Sequence, residues 1–253
     1  MSVIDEGSGP VVVLLHAFPV NRHLWDGVVP GLVAAGFRVI APDYAGLGDS
    51  PLPAEPPSVA AMAAQIRQVL TERGVDRFRL AGLSMGGYAA MQLVREIGPR
   101  IEGLALIDTK MAADTPPARD NRLAVATRAE VEGSAEFLVA AMLDNLLGPI
   151  TRAERLDVVV QVERWIADAP PAAVAWAQRA MASRPDSTVD LAGFEGPALV
   201  LAGADDTISP PDEQRQIAAT VPQAQLTLIP GVGHLSAVED SAAVTDALLS
   251  WLR

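Results

Sequence analysis

Between Phe78 and Ala90 the chain reads FRLAGLSMGGYAA: an apolar stretch runs into Gly82, Ser84 and Gly86 and continues as small residues suited to a helix. G-x-S-x-G in a strand-to-helix setting is a tight bend that holds one serine hydroxyl out at the end of a strand. So sharp a turn imposes a strained backbone on the serine, and the flanking glycines remove side chains that would collide with neighbouring elements. The N-terminus of the helix that follows points main-chain N–H groups at any negative charge that develops there. The motif alone also fits an ordinary glycine-rich turn, so its chemistry depends on partners elsewhere.

A serine hydroxyl is a weak nucleophile until a base takes its proton. The chain has three histidines, and His16 and His23 both sit near the first apolar run. His234, in IPGVGHLSAVE, lies on a glycine-rich loop between an apolar run, Leu226 to Ile229, and the last helical pattern. A loop histidine there reaches the same sheet edge as Ser84. An acid that orients the imidazole is expected between nucleophile and base in chain order. LVLAGADDTISPP offers Asp205 and Asp206 at the end of a strand, and Asp108 ends another, LALID. Such a set performs acyl transfer, which also needs two donors for the developing oxyanion. The Met85 N–H is one, and the Phe18 N–H in LLHAFP is best placed to be the other.

The elements that would position these groups are legible as short apolar runs: Val11 to Leu15, Phe37 to Ala41, Phe78 to Gly82, Leu104 to Asp108, Ala198 to Ala202 and Leu226 to Ile229. Runs of this kind suit parallel strands covered on both faces. Val59, Met62, Ile66, Val69 and Leu70 form one helical stripe after Ser58, a candidate N-cap, and before Gly74. Ala243, Val244, Leu248 and Trp251 repeat that spacing after Asp240 and Ser241. The alternation predicts an α/β fold with an open, mostly parallel central sheet and helices on both faces.

From Met111 to Thr188 the alternation stops, and helical stretches are punctuated by prolines. This segment, 111–188, reads as a helical insertion over the active edge of a core made of 1–110 and 189–253. Phe18, Trp25, Met85, Met111, Phe137, Met142, Trp165 and Trp176 are candidate walls of an apolar slot for short or medium acyl chains.

With 31 acidic and 19 basic residues the formal charge is −12, which opposes binding to nucleic acid and favours neutral substrates. There is no cysteine, hence no disulfide or thiolate chemistry, and the cytoplasm is the expected compartment. The first apolar run lacks the basic start and length of a signal peptide, and no stretch is long enough to span a bilayer. Three histidines without helical pairing give no metal site, and no cofactor is expected.

Together the segments LLHAFP, APDYAGLGDS, GLSMGGY, LALIDT, GADDTISPP and GVGHL resemble the α/β-hydrolase superfamily, in its branch of carboxylesterases, enol-lactonases and cofactor-free haloperoxidase-like proteins. The likeness covers nearly the whole chain and implies the α/β-hydrolase fold with a helical cap. In that family the acid stands three residues after the glycine of its strand-end loop, which selects Asp206 here. The implied activity is that of a serine carboxylesterase acting on a small neutral ester. A lactonase, an enol-lactonase or a perhydrolase would use the same triad, as would a C–C bond hydrolase. A dehalogenase of this fold resembles an enzyme with a carboxylate nucleophile, whereas position 84 is serine. A ligand-binding receptor without turnover is the contrasting class, and the complete set of Ser84, His234 and Asp206 argues against it. Two departures stand out: Ala17 replaces the glycine usual after the histidine of the oxyanion motif, and only Ser2 to Glu6 remain for an initial strand.

Overall fold

The computed structural model describes residues 1–253. Seven strands form one sheet: β1 (Val3–Glu6), β2 (Val11–Leu15), β3 (Arg38–Pro42), β4 (Phe78–Leu83), β5 (Ile101–Ile107), β6 (Ala198–Gly203) and β7 (Ala224–Ile229). Their order is β1-β3-β2-β4-β5-β6-β7. Every neighbouring pair is parallel except β1 with β3. The chain leaves β2 for β3 on one side, then returns to β4 on the other. That reversal opens a crevice at the C-terminal ends of β2 and β4, the place where open α/β sheets bind ligands.

Apolar side chains on β2, β4, β5 and β6 are buried on both faces, which is why these strands read as unbroken hydrophobic runs. Two strands start before their apolar runs. β5 starts at Ile101, because Glu102 and Gly103 interrupt the hydrophobic pattern while Ile101 and Gly103 still pair with Phe78 and Arg79. β7 starts at Ala224 because it is an edge strand whose residues, Leu226 included, are partly exposed, so an apolar run does not mark its limits. Asp108 falls just outside β5, with φ +45.

Four helices flank the first half of the sheet or close the chain: α1 (Val29–Ala34), α2 (Val59–Glu72), α3 (Met85–Ile97) and, at the end, α12 (Ser241–Leu252). Between β5 and β6 the chain forms α4 (Pro116–Glu132), α5 (Phe137–Leu146), α6 (Pro149–Glu154), α7 (Leu156–Ala167), α8 (Pro171–Ala182) and α9 (Thr188–Ala192), with no strand. α10 (Pro211–Thr220) follows β6, and the short α11 (Ser236–Glu239) follows β7. The stripe Val59, Met62, Ile66, Val69 and Leu70 of α2 is buried. Ser58 Oγ accepts the Ala61 N–H at 3.0 Å, and Asp240 Oδ1 accepts the Ala243 N–H at 2.9 Å, so both helices begin on the caps their sequences offer.

Ser58→Ala removes one such cap at a site far from the crevice in sequence. The expected outcome is a loss of about 1 kcal/mol of stability, read as a fall of about 2–4 °C in the thermal unfolding midpoint, with activity unchanged.

Candidate active site

Ser84 joins β4 to α3 at φ 54 and ψ −112, a backbone conformation rare for any residue with a side chain. Such a conformation costs on the order of 1–3 kcal/mol and persists only where the surroundings enforce it. Here the Ser84 N–H donates to Ile107 O at 2.9 Å, and Thr109 Oγ1 donates to Ser84 O at 2.8 Å. The glycines make the bend sterically feasible. A Cβ on Gly82 would lie 2.3 Å from Gly86 O, and one on Gly86 would lie 2.1 Å from Leu15 O.

His234 Nε2 lies 2.8 Å from Ser84 Oγ, although 150 residues separate them in the chain. Its Nδ1 lies 2.8 Å from Asp206 Oδ2. With Nδ1 facing a carboxylate, the neutral ring carries its proton there and leaves Nε2 to accept the serine hydroxyl. The imidazole is 3% exposed and the Asp206 side chain 0%, so water competes little for either contact.

Asp206 is also held by its own loop. Its Oδ1 accepts the N–H groups of Ile208 at 2.8 Å and Ser209 at 3.0 Å, and its Oδ2 accepts Ser209 Oγ–H at 2.5 Å. Burial pushes the Asp206 carboxyl upward, but His234 and the Ser209 donors outweigh it and hold the group below the usual carboxylate range. Asp205, the neighbour the sequence left open, is exposed. Asp108 is buried, but its Oδ1 accepts the Gly203 N–H at 2.8 Å and its Oδ2 accepts Ser236 Oγ–H at 2.5 Å. Burial and the nearby Asp206 charge push the Asp108 carboxyl well above its usual range.

The two other histidines are otherwise engaged. His16 is fully buried, with Nδ1 2.8 Å from Ala17 O and Nε2 accepting the Tyr44 N–H at 3.0 Å. His23 pairs with Asp26 at 2.9 Å on the surface. Ala17 itself keeps a negative φ, since Ser84 and Asp108 are the non-glycine residues at positive φ. Alanine therefore fits this turn without strain.

Phe18 and Met85 follow the C-terminal ends of neighbouring strands. Leu15 pairs with Gly82 in the β2–β4 register, and each of the two residues stands three positions further on. Met85 opens α3, where an N–H has no intrahelical acceptor.

The expected pocket walls are more dispersed. Phe137 and Met142 line a cavity of about 600 Å³ among α4, α5 and α8, together with Arg122 and Gln178. Met111 lines a separate one of about 250 Å³ with Lys110 and Arg184. Neither cavity is lined by Ser84, His234 or Asp206. Trp25 is wholly buried in the core. Trp176 is buried and its Nε1–H donates to Glu55 O at 3.0 Å, while Trp165 packs half-buried against the core. Large side chains in one stretch of sequence are shared here among several packing interfaces.

Beside the loop of Asp206, two buried polar residues escaped the sequence reading. Ser209 contacts both Asp206 and His234, lying 3.3 Å from His234 Nδ1. Gln214 is fully buried on α10, and its Nε2 donates to Thr109 O at 2.9 Å and Ser209 O at 3.0 Å. It thereby ties the loop that supports Ser84 to the loop that carries Asp206. The available signal for Ser209 was its place three residues after an aspartate, the spacing of a local turn closed by a carboxylate. Nothing in the sequence around Gln214 distinguishes it from a surface glutamine.

Residues 10–241 match the sequence profile of the α/β-hydrolase fold. The chain belongs to the α/β-hydrolase family. A thermophilic esterase from Thermogutta terrifontis, solved with malate bound, superposes with a TM-score of 0.97 at 39% identity, covering 100% of this chain and 92% of that one. The enol-lactonase from Burkholderia xenovorans LB400 has the same fold, with a TM-score of 0.91 at 24% identity over 99% of this chain and 95% of its own. Pimeloyl-[acyl-carrier protein] methyl ester esterase from Nitrosomonas europaea is 26% identical, over 96% of this chain and 96% of its own length. This α/β hydrolase has no helix long and apolar enough to cross a membrane, and no group of His, Asp and Glu side chains arranged to hold a metal ion.

His234 and, after it, Ser209 lower the Asp206 carboxyl, so an acid response is expected. Asp206 is held below the usual range in the folded protein, so its ionised form stabilises the fold above the unfolded-state value. That contribution disappears as pH falls through the folded-state value. Ser209→Ala removes one donor and moves the folded-state value upward. Acid unfolding followed by circular dichroism should then begin at a higher pH, with a loss of about 1.5–3 kcal/mol at neutral pH. Superimposable curves for variant and wild type would contradict the role given to Ser209.

Proposed function

We propose that this α/β hydrolase is a serine carboxylesterase that cleaves small neutral esters by two-step acyl transfer. The observation that carries this reading is the pair of 2.8 Å contacts from one buried imidazole, Nε2 to Ser84 Oγ and Nδ1 to Asp206 Oδ2. Hydroxyl, base and orienting acid in that arrangement suit nucleophilic attack on an acyl carbon.

In the first step His234 Nε2 takes the Ser84 proton as Oγ bonds to the ester carbonyl carbon, whose oxygen becomes an oxyanion. The main-chain N–H groups of Phe18 and Met85 hold that oxygen; loss of one such donor typically costs about 100-fold or more in rate. When the tetrahedral intermediate collapses, the carbon–oxygen bond to the alcohol breaks and His234 returns its proton to the departing oxygen, leaving acyl-Ser84. Water repeats the sequence, giving its proton to His234 and its hydroxyl to the acyl carbon, and Ser84 leaves reprotonated. Asp206, kept ionised by its hydrogen bonds, fixes the ring tautomer and stabilises the imidazolium that forms in each half.

The net charge of −12 favours uncharged substrates over anionic ones. The helices of 111–188 act as the cap in this reading and bound the substrate on the side opposite the sheet. The esterases among the related proteins support ester chemistry.

Ser84→Ala should lose turnover of neutral esters of graded acyl length while keeping its circular dichroism spectrum, and an organophosphorus probe should label wild type at Ser84 alone. Normal esterase activity in a clean preparation of the variant would sink the assignment.

A further inference from the structure

Glu239 closes α11, is buried, and has no part in the acyl-transfer steps. Its Oε2 accepts the Gly148 N–H at 2.7 Å and the Thr151 Oγ1–H at 2.7 Å. Its Oε1 accepts the Gly233 N–H at 3.0 Å. Gly148 and Thr151 begin α6 in the helical insertion, whereas Gly233 immediately precedes His234 in the core. The same two segments are joined again, because the N–H groups of His234 and Leu235 both donate to Leu146 O at 3.1 Å.

The backbones in this contact nearly touch. A Cβ on Gly233 would lie 2.3 Å from Gly148 N, and one on Gly148 would lie 2.8 Å from Gly233 N. Two N–H groups brought together this closely need an acceptor that reaches both, and the two oxygens of one carboxylate supply it.

Stability calls for an acceptor here, since three buried donors would otherwise go unpaired, but not for a full charge. No cation pairs with the Glu239 carboxylate among the ion pairs of the protein, and Arg155 reaches only its main-chain oxygen, at 3.5 Å. Burial pushes the carboxyl above its usual range, against the pull of its hydrogen-bond donors. A buried charge without a counter-ion is expensive, and a neutral acceptor would cost less to bury. The carboxylate supplies direction: it binds α6 with one oxygen and the histidine loop with the other.

We infer that Glu239 is a positioning residue for the reaction, clamping the loop of the base to the first turn of α6 so that His234 Nε2 stays within proton-transfer distance of Ser84 Oγ. The inference rests on the reading of His234 as the base. It makes the insertion part of the catalytic geometry as well as a cover, because the main chain at Leu146 and Gly148 bears directly on the residues around His234.

Glu239→Gln tests it, since an amide has one acceptor oxygen and its NH2 group must face an N–H on one side of the clamp. The measurements are kcat and KM for a neutral ester, with kcat expressed per Ser84 titrated to completion with an organophosphorus probe, together with thermal unfolding. A misplacement of the base should lower kcat by about 10- to 100-fold with KM within about twofold. Thr151→Val, which removes one donor on the α6 side only, should lower kcat in the same direction by less. A lower unfolding temperature with wild-type kcat per titrated site in Glu239→Gln would overturn the clamp and leave Glu239 purely structural. If Glu239→Gln fails to fold, unchanged kcat in Thr151→Val overturns it instead. Ser84→Ala, run alongside, separates the two readings: an active Ser84→Ala removes the proposed mechanism itself, whereas an inactive one beside a fully active Glu239→Gln removes only the clamp.

Discussion

A hydroxyl on a strained turn has to meet an imidazole delivered by a loop 150 residues later, and the 2.8 Å contact between them leaves little room for error. Hydrogen bonds of this kind weaken steeply with distance and misalignment. Much of the architecture around the C-terminal edge of the sheet serves to fix the two ends of that contact. The Ser84 end is set by β2, β4 and β5, whose parallel register brings Leu15 O against Gly86 and Ile107 O against the Ser84 N–H. The His234 end is set by loops, and loops hold their shape only where side chains or main-chain carbonyls take up their main-chain donors.

Three buried acids do much of that work. Asp206 receives His234 Nδ1 and the Ser209 donors, Asp108 ties Gly203 to Ser236, and Glu239 ties Gly233 to Gly148 and Thr151. Crowding carboxyls raises the cost of ionising them, and the structure distributes that cost unequally. Asp206, the one facing an imidazole, is held below its usual range, while Asp108 and Glu239 are pushed up. Such separation lets one acid remain ionised beside the imidazole while its neighbours serve mainly to brace the loops.

The insertion relates to this frame in two ways. Its α4 and α8 helices pack along each other and line, with α5, an open pocket of about 600 Å³. Its α5–α6 junction instead closes onto the histidine loop and Glu239 by four hydrogen bonds. Family membership therefore accounts for the sheet and the order of the loops, but the way this insertion is fastened is a property of particular residues: Leu146, Gly148, Thr151 and Glu239. Fold likeness says little about chemistry by itself, and the chemical reading rests on the contacts of His234 with Ser84 and Asp206.

Much of the frame was legible from residues alone. Continuous apolar runs betray strands covered on both faces, so β2, β4 and β6 are nearly complete in the sequence, and Ser58 and Asp240 mark helix starts because a cap is a local contact. Ser84 and the glycines around it are legible for the same reason, since a bend that admits no Cβ leaves its signature within five residues. What local pattern could not decide was which side chains converge. Asp205 and Asp206 are equivalent as adjacent carboxylates; the likeness to a family distinguished them, and the fold turns one inward and the other to solvent. Ser209, Gln214 and Glu239 read as ordinary polar residues, and the aromatic and methionine residues of 111–188 read as one slot. Their partners lie up to about a hundred residues away, and only tertiary packing brings such distant groups into contact.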